Sequence, residues 1–379
     1  METYNALSVF LNGKKVGTLA TYKKRFTAFE YSDEWLDDGF SISPFSLPLE
    51  KKVFLPTLQP FDGIYGIFSD SLPDGWGRLL VDRMLLKNRI DPASVNMLNR
   101  LSIVGSSGIG ALTYYPEQDT VQAAPQEDYD KLARACAEVL SSKSADDLDV
   151  LFKMSGSSGG ARPKAFITVN DEDWIIKFPS STDRSDIGSI EFLYSNCARA
   201  CGIEMSETRL FSSKICEGYF GTKRFDRYRT ADGTVQRSHM ASVSALLETS
   251  HRIPNLDYSI LLALTLKLTG SFKEVEKMFR LMCFNVFAHN RDDHSKNFTF
   301  LYDDKERVWK LSPAYDLTYS SSIGGEHATT VNGNGTNPGL DDILTLAENI
   351  GMKKSKARQI GEHVADTVHD MLGNLDQYK

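Results

Sequence analysis

The sequence predicts an α+β protein with a β-rich front, a mixed middle and a helical back. Three observations carry this. Asn12-Gly13 separates two strand-patterned runs, residues 7–11 and 16–21, which is the composition of a tight hairpin turn. A Gly/Ser loop at 155–160 feeds a second hairpin, 165–169 and 174–178, across 170–173. From about Val243 onward, apolar residues recur with helical spacing. At 379 residues the chain is too long for one small core. Three parts are expected: 1–120, 121–242 and 243–379.

In the front part, 27–31 continues the strand pattern and 40–49 is extended, with Pro44 and Pro48. Ser71-Leu72-Pro73-Asp74-Gly75-Trp76-Gly77 leads into a helix at 78–87, and 97–101 is a short helix or turn. Residues 105–110 form a Gly/Ser turn before a strand at 111–115, which Pro116 stops. The polar, acidic stretch 117–130 reads as a linker. Helices are expected at 130–141 and 146–154. A third, at 187–201, ends at Gly202, whose freedom to adopt positive φ suits a helix C-terminus. Strands follow at 208–213 and 218–225. The back part has helical periodicity at 258–269, 272–288, 340–350 and 354–372. Between these lie the loop 290–297, a strand pair at 298–302 and 309–311, and a turn at Asp316. Residues 320–338 are rich in Gly, Ser, Thr and Asn and are expected to be mobile. No fixed-period repeat is present.

The bulk composition is that of an ordinary soluble protein, 41% hydrophobic and 25% charged. A net charge of -7 argues against nucleic-acid binding over the whole surface. The first residues lack the basic and apolar regions of a signal peptide, and no apolar run of roughly 18 residues predicts a membrane span. Five scattered cysteines without a CxxC pair suit free thiols in a reducing cytoplasm, with Cys197 and Cys201 buried on one helix. There is no HExxH.

The densest chemistry lies in Asn290-Arg291-Asp292-Asp293-His294-Ser295-Lys296-Asn297-Phe298, followed by Pro313-Ala314-Tyr315-Asp316. Asp292 precedes Asn297 by five positions, and Asp316 returns downstream. Protein kinases use this spacing to place a base beside the acceptor hydroxyl and two oxygen ligands on Mg²⁺. A polar surface loop with capping side chains would be the bland alternative, but three such residues in this order count against it. Spacing alone favours Asp292 over Asp293. His294 and Lys296 could neutralise transferring charge or simply support the loop. Upstream, Lys177 interrupts the apolar strand Trp174-Ile175-Ile176-Lys177-Phe178, where a buried ammonium needs an anion. Glu191 on the next helix is its natural partner, as in kinases. A strand-edge lysine snorkelling to solvent is the alternative. The loop Ser155-Gly156-Ser157-Ser158-Gly159-Gly160-Ala161-Arg162-Pro163-Lys164 could bring backbone N–H groups close to phosphate, or could be a linker.

These motifs, taken with Phe68-Ser69-Asp70-Ser71-Leu72-Pro73-Asp74-Gly75-Trp76 and Arg224-Phe225-Asp226-Arg227, run in the order of a known family. The chain resembles the HipA-type serine/threonine kinases, toxins of bacterial toxin–antitoxin pairs. The resemblance spans most of the chain. It implies a protein-kinase-like bilobal fold, with a β-rich N-terminal subdomain and an all-helical C-lobe. It implies ATP and Mg²⁺, with Asp292 as the catalytic base beside Lys296, and Asn297 and Asp316 as metal ligands. Lys177, Glu191 and the loop residues Ser157, Ser158, Gly159, Gly160, Ala161 and Arg162 would serve the nucleotide. Ser157 matches the serine that such kinases autophosphorylate, with Ser155 and Ser158 as near rivals. The implied substrate is a translation component such as an aminoacyl-tRNA synthetase. The implied partner is a helix-turn-helix, HipB-like antitoxin that alone contacts operator DNA. Arg162-Pro163 departs from the family's Gln-Glu-like pair, and Pro163 offers no N–H. Two rival readings fit the same residues: a small-molecule kinase, and a corepressor whose kinase activity is dispensable.

Overall fold

A computed structural model describes residues 2–118, 128–141, 148–155, 158–180, 182–322 and 324–378. These fall into two compact units. The first comprises Met1–Gly188, Arg209–Ala241 and Ala245–Thr249, and the second Ser189–Thr208, Ser242–Ser244 and Ser250–Lys379.

The first unit opens on a five-stranded antiparallel sheet. Its strand order is Val53–Phe54, Phe26–Tyr31, Lys14–Tyr22, Ala6–Leu11 and Leu112–Tyr115. Leu11 pairs with Lys14 across Asn12 (φ 47°) and Gly13 (φ 84°). Positive φ at both central residues is the two-residue turn that matches strand twist, and Asn-Gly adopts it at low cost. A second sheet has the order Lys164–Val169, Glu172–Lys177, Tyr219–Lys223 and Thr208–Phe211. Its first hairpin turns on Asn170 and Asp171, also at positive φ.

The helix after the Pro73-Asp74 step runs Gly75–Lys87, starting three residues earlier than periodicity predicts. Asp74 occupies its N-cap position without capping it through the side chain. One core then joins this helix to the second sheet. Trp76, Leu80, Val81 and Leu85 pack with Leu132, Cys136 and Val139 of the Tyr129–Ser141 helix. Phe152 and Met154, and the strand residues Ala165, Trp174, Ile176 and Phe178, complete it. Each large apolar side chain buried this way contributes roughly 1.5–3 kcal/mol.

The second unit is built around the Phe272–Phe287 helix, which packs against Tyr258–Thr269 and Lys354–Leu372, while Leu340–Asn349 packs on the latter. The Tyr258–Thr269 helix is well punctuated. Asp257 accepts from the Ser259 N–H at its start, and Gly270 closes it at φ 62°. Cys197 and Cys201 are buried and point their thiols at backbone carbonyls of Thr367 and Val364.

The expectation of an all-helical C-lobe needs correcting. Strands Thr299–Asp303 and Val308–Leu311 form an antiparallel hairpin, and Leu256–Asp257 pairs in parallel with Thr329–Thr330. Trp309 and Leu311 are buried while Val308 and Lys310 are exposed, the period-two alternation that specifies a strand. Residues 327–334 of the stretch expected to be mobile carry their own hydrogen bonds, including His327 N–H to the Gly335 carbonyl and Val331 N–H to that of Asn334. Among the described residues, no helix is long and apolar enough to cross a membrane.

Candidate active site

The loop that follows the Phe272–Phe287 helix is tied at both ends. Asn290 N–H donates to the Asn285 carbonyl at 3.0 Å, and Asn290 Nδ2 to Asn285 Oδ1 at 2.9 Å. At the far end, Asn297 N–H donates to the His294 carbonyl, and its side-chain Nδ2 to the Asp292 carbonyl at 2.7 Å. The amide nitrogen is committed to the loop, and Oδ1 can only accept. Adjacent Asp292 and Asp293 have opposite surroundings. The Asp292 side chain is 66% exposed, with His294 Nε2 3.9 Å away, whereas Asp293 is completely buried.

Asp316 is held next to this loop through its neighbour. Tyr315 OH donates to the Lys296 carbonyl at 2.6 Å, which leaves Thr299 Oγ1 to donate to the phenol oxygen, also at 2.6 Å. Ser312 N–H donates to the Thr299 carbonyl and Ala314 N–H to that of Glu204. Asp316 itself sits at φ 55°. A non-glycine residue in the left-handed region is strained by about 1–2 kcal/mol and persists only where its neighbours enforce it. Asp292, Lys296, Asn297 and Asp316, spread over 25 positions of sequence, are thus gathered within the second unit.

In the first unit, Lys164 and Lys177 stand directly opposite one another on paired strands. Lys164 is only 8% exposed, and Lys177 Nζ lies 5.5 Å from the Phe220 ring centroid. Like charges opposite each other destabilise a sheet, and an anion between them would offset that. The loop runs directly beside them: a Cβ at Gly160 would lie 2.8 Å from Lys164 Nζ. The loop is gripped from the other side by the Asp74-Gly75-Trp76-Gly77 segment. Asp74 Oδ1 accepts from Gly160 N–H at 2.5 Å, and Trp76 N–H donates to the Gly160 carbonyl at 2.9 Å. Gly75 and Gly77 are required there, since a Cβ would meet the Gly160 and Ser158 carbonyls at 2.2 and 2.4 Å. Arg162 Nε pairs with Asp183 at 3.3 Å, so its charge is partly neutralised. Ser155 and Ser158 are fully buried, and Ser157 lies outside the described residues. Glu191 is buried in the second unit.

Among the described residues, buried polar atoms that have no hydrogen-bond partner concentrate at these segments. They include Asn290 Oδ1, Arg291 Nε, His294 Nδ1, Ser295 Oγ, Thr318 Oγ1 and Tyr319 OH in the second unit. In the first unit, Trp76 Nε1, Ser155 Oγ and Ser158 Oγ belong to the same class. Such groups are costly unless water or a ligand meets them. Among the described residues, no three His, Cys, Asp or Glu side chains form a metal cage. Mg²⁺ does not need one, because it binds through one or two protein oxygens, with waters and substrate phosphates completing its octahedron. A carboxylate at Asp316 and an amide oxygen at Asn297 fit that mode.

Sequence reasoning gave no role to Tyr315, Asp293, His327 or Tyr258, and quoted Asp74 only as part of a motif. Their partners lie too far along the chain for local spacing to indicate them.

Residues 7–115 match the family described as the HipA N-terminal domain, and residues 156–372 match the HipA-like C-terminal domain. Two proteins of Sinorhizobium fredii (strain NBRC 101917 / NGR234) are similar over most of their length. "Putative kinase Y4mE" is 27% identical over 350 residues, covering 83% of this chain and 77% of the relative. "Putative kinase Y4dM" is 28% identical over 355 residues, covering 88% and 81%. Among solved structures, the toxin HipA of Shewanella oneidensis MR-1, determined with HipB and operator DNA, shares the fold. It has a TM-score of 0.71 at 16% identity and 98% coverage of both chains. The C-terminal match alone takes in more than half of this sequence, and the chain belongs to the HipA-type kinase family.

Proposed function

We propose that the protein is an ATP- and Mg²⁺-dependent serine/threonine protein kinase with a protein-kinase-like bilobal fold, acting as the toxin of a toxin–antitoxin pair. The observation that carries the reading is the pairing of an exposed Asp292 with a loop that Asn297 closes and Tyr315 fastens to Asp316. Lys177, with Lys164 beside it, holds the nucleotide phosphates, and Gly159-Gly160 lets the backbone come close to them. Asn297 Oδ1 and the Asp316 carboxylate hold Mg²⁺, which supplies charge neutralisation on the phosphates. Asp292 orients the acceptor hydroxyl and takes its proton. The acceptor oxygen bonds to the γ-phosphorus as the bond from that phosphorus to the β–γ bridging oxygen breaks, and ADP leaves. Lys296 offsets charge at the transferring group. Catalysis then rests on positioning and electrostatics.

The protein acceptor is a translation component such as an aminoacyl-tRNA synthetase, as the family resemblance implies. The partner is a HipB-like helix-turn-helix protein. This follows the Shewanella HipA structure, which was solved with HipB and operator DNA. Ser157 is the site of autophosphorylation. That assignment follows the family resemblance; its near rivals Ser155 and Ser158 are both buried. A phosphate there adds roughly two negative charges to a loop that serves phosphates, and so weakens ATP binding.

The test is transfer from labelled ATP by purified protein, with a bacterial lysate as acceptor and a sugar and aminoglycoside panel alongside. Asp292→Ala and Asp316→Ala should each lose at least about a hundredfold in rate. Transfer at the wild-type rate by either variant would overturn the assignment, and transfer to the small molecules alone would move it to a different substrate class.

A further inference from the structure

We infer that Asp293 is a positioning residue, which together with His327 and Thr329 clamps the backbone that carries Asp292. The inference rests on the kinase reading of Asp292 and adds a support that sequence spacing does not reveal.

Asp293 is fully buried and His327 is 4% exposed. The Asp293 carboxylate is surrounded by donors. Oδ2 accepts from Tyr258 OH at 2.9 Å and faces His327 Nδ1 at 3.0 Å, and Oδ1 accepts from Thr329 N–H at 3.2 Å. An ionised carboxylate only accepts, so the tautomer with hydrogen on His327 Nδ1 is the one that fits. The Asp293 carbonyl takes a fourth bond, from Thr329 Oγ1 at 2.6 Å. Behind it the network continues. Asn285 Nδ2 donates to the Tyr258 oxygen at 2.8 Å, and Asn285 Oδ1 accepts from Asn290 at the head of the loop.

The consequence falls on Asp292. On its N-terminal side the Arg291 carbonyl accepts from Ala328 N–H at 3.1 Å. On its C-terminal side Asp293 is fastened to Thr329 through both backbone and side chain. The one exposed carboxylate of the loop therefore projects from a peptide pinned on both flanks to residues 328 and 329. The same strand, Thr329–Thr330, pairs with Leu256–Asp257, so the clamp is anchored to the start of the Tyr258–Thr269 helix. A surface loop that merely needed satisfied polar groups would not require a buried carboxylate with three bonds, and a fourth on its own carbonyl, next to an exposed one.

Removing one bond from such a clamp should displace Asp292 by a fraction of an ångström to an ångström, and a 1 Å misplacement costs on the order of a hundredfold in rate. Asp293→Asn is therefore expected to lower kcat by about ten- to a hundredfold, with KM for ATP changed by less than about threefold, because nucleotide is held elsewhere. Thr329→Val deletes only the hydroxyl bond and keeps the side-chain shape. It should lower kcat by about three- to tenfold, and it carries the test if Asp293→Asn fails to fold. His327→Gln keeps an N–H donor and should retain more kcat than His327→Leu. Asp292→Asn is assayed in parallel. If Asp292→Asn is inactive while Asp293→Asn and Thr329→Val turn over like wild type, the clamp is refuted and the kinase reading stands. If Asp292→Asn itself is fully active, the kinase reading falls and the clamp with it. A drop that disappears when rates are normalised to folded protein, measured by thermal melts, also refutes the positioning role.

Discussion

Substituting three glycines by alanine separates backbone strain from steric contact at the Gly/Ser loop. Gly13 has φ 84° and open space where a Cβ would go, so Gly13→Ala should cost only the strain of a left-handed alanine, about 1–2 kcal/mol. Gly77 lies inside a helix, where alanine is intrinsically preferred by about 1 kcal/mol, yet its Cβ would sit 2.4 Å from the Ser158 carbonyl oxygen. Gly75 combines the two problems, with φ 46° and a Cβ 2.2 Å from the Gly160 oxygen. Ordinary contact distances exceed that by more than about 1 Å, so the loop must retreat. The retreat weakens the bonds from Trp76 N–H to Gly160 and from Gly160 N–H to Asp74, each worth about 1–2 kcal/mol net. Adding strain gives about 3–6 kcal/mol for Gly75→Ala, a large share of a typical domain stability of about 5–15 kcal/mol. Urea unfolding followed by tryptophan fluorescence reads the stability, since Trp76 and Trp174 are in the adjoining core. Calorimetric ATP titration reads the loop. Affinity should fall in Gly75→Ala and Gly77→Ala and hold in Gly13→Ala. If Gly75→Ala is no more destabilising than Gly13→Ala, or all three variants bind ATP alike, the loop is not held as described.

Asp226 is enclosed by Arg224 at 2.9 and 2.8 Å, Arg227 at 2.7 Å and Gly110 N–H at 2.7 Å. Asp226→Ala strands two buried guanidinium groups and should cost about 3–5 kcal/mol in chemical denaturation, and a loss under about 1 kcal/mol would contradict the packing. Burial works against ionisation of Asp226, but the charges and hydrogen bonds of Arg224 and Arg227 hold its carboxyl at about 2. Its folded pKa is thus below the ordinary 3.8, so about 2 kcal/mol of stability should be intact above pH 4 and lost as pH falls toward 2, which an acid titration of unfolding would measure. Glu248 has the opposite sign: burial pushes it up to about 7, even though its carboxylate accepts from Gly66 N–H at 3.1 Å. Stability from this group is present below pH 4.5 and lost as pH rises through 7. Glu248→Gln should therefore raise stability at pH 8 by about 1–2 kcal/mol, discounted for partial exposure, and leave pH 4 melts unchanged. Tyr315→Phe removes the bridge to Lys296 and Thr299. It should cost about 1–2 kcal/mol in stability and about tenfold in phosphate transfer, and wild-type transfer would show that the bridge does not position Asp316.

Local chemistry was readable where neighbours in sequence are neighbours in space. Asn12-Gly13 announced its turn, and the order of loop, Lys177 strand and Asp292–Asn297 segment was visible from residue types alone. The N-terminal extension of the Gly75–Lys87 helix was missed because Gly75 and Gly77 look like breakers. They are there to let another backbone approach. Asp292 and Asp293 are chemically identical letters; spacing to Asn297 favours Asp292, and their opposite burial shows only in the structure. The bonds that give the loops their shape span long separations, 86 positions for Asp74 to Gly160 and 34 for Asp293 to His327. Periodicity over a window of a dozen residues carries no information at that range. The all-helical C-lobe came from the family resemblance, whereas the strand patterns at 298–302 and 309–311 already pointed to the hairpin.

The core of the first unit has a consequence for hybrid chains. Trp76, Leu80 and Leu85 lie within the segment matching the HipA N-terminal domain, and Ala165, Trp174, Ile176 and Phe178 within the segment matching the HipA-like C-terminal domain, yet all seven share one interior. The seam between the two recognised families runs through the middle of a single packing problem. A chain that exchanged one segment for a distant relative's would inherit half of a jigsaw. A hybrid gene joined between residues 115 and 156 should yield folded protein only when both parents agree at these seven positions.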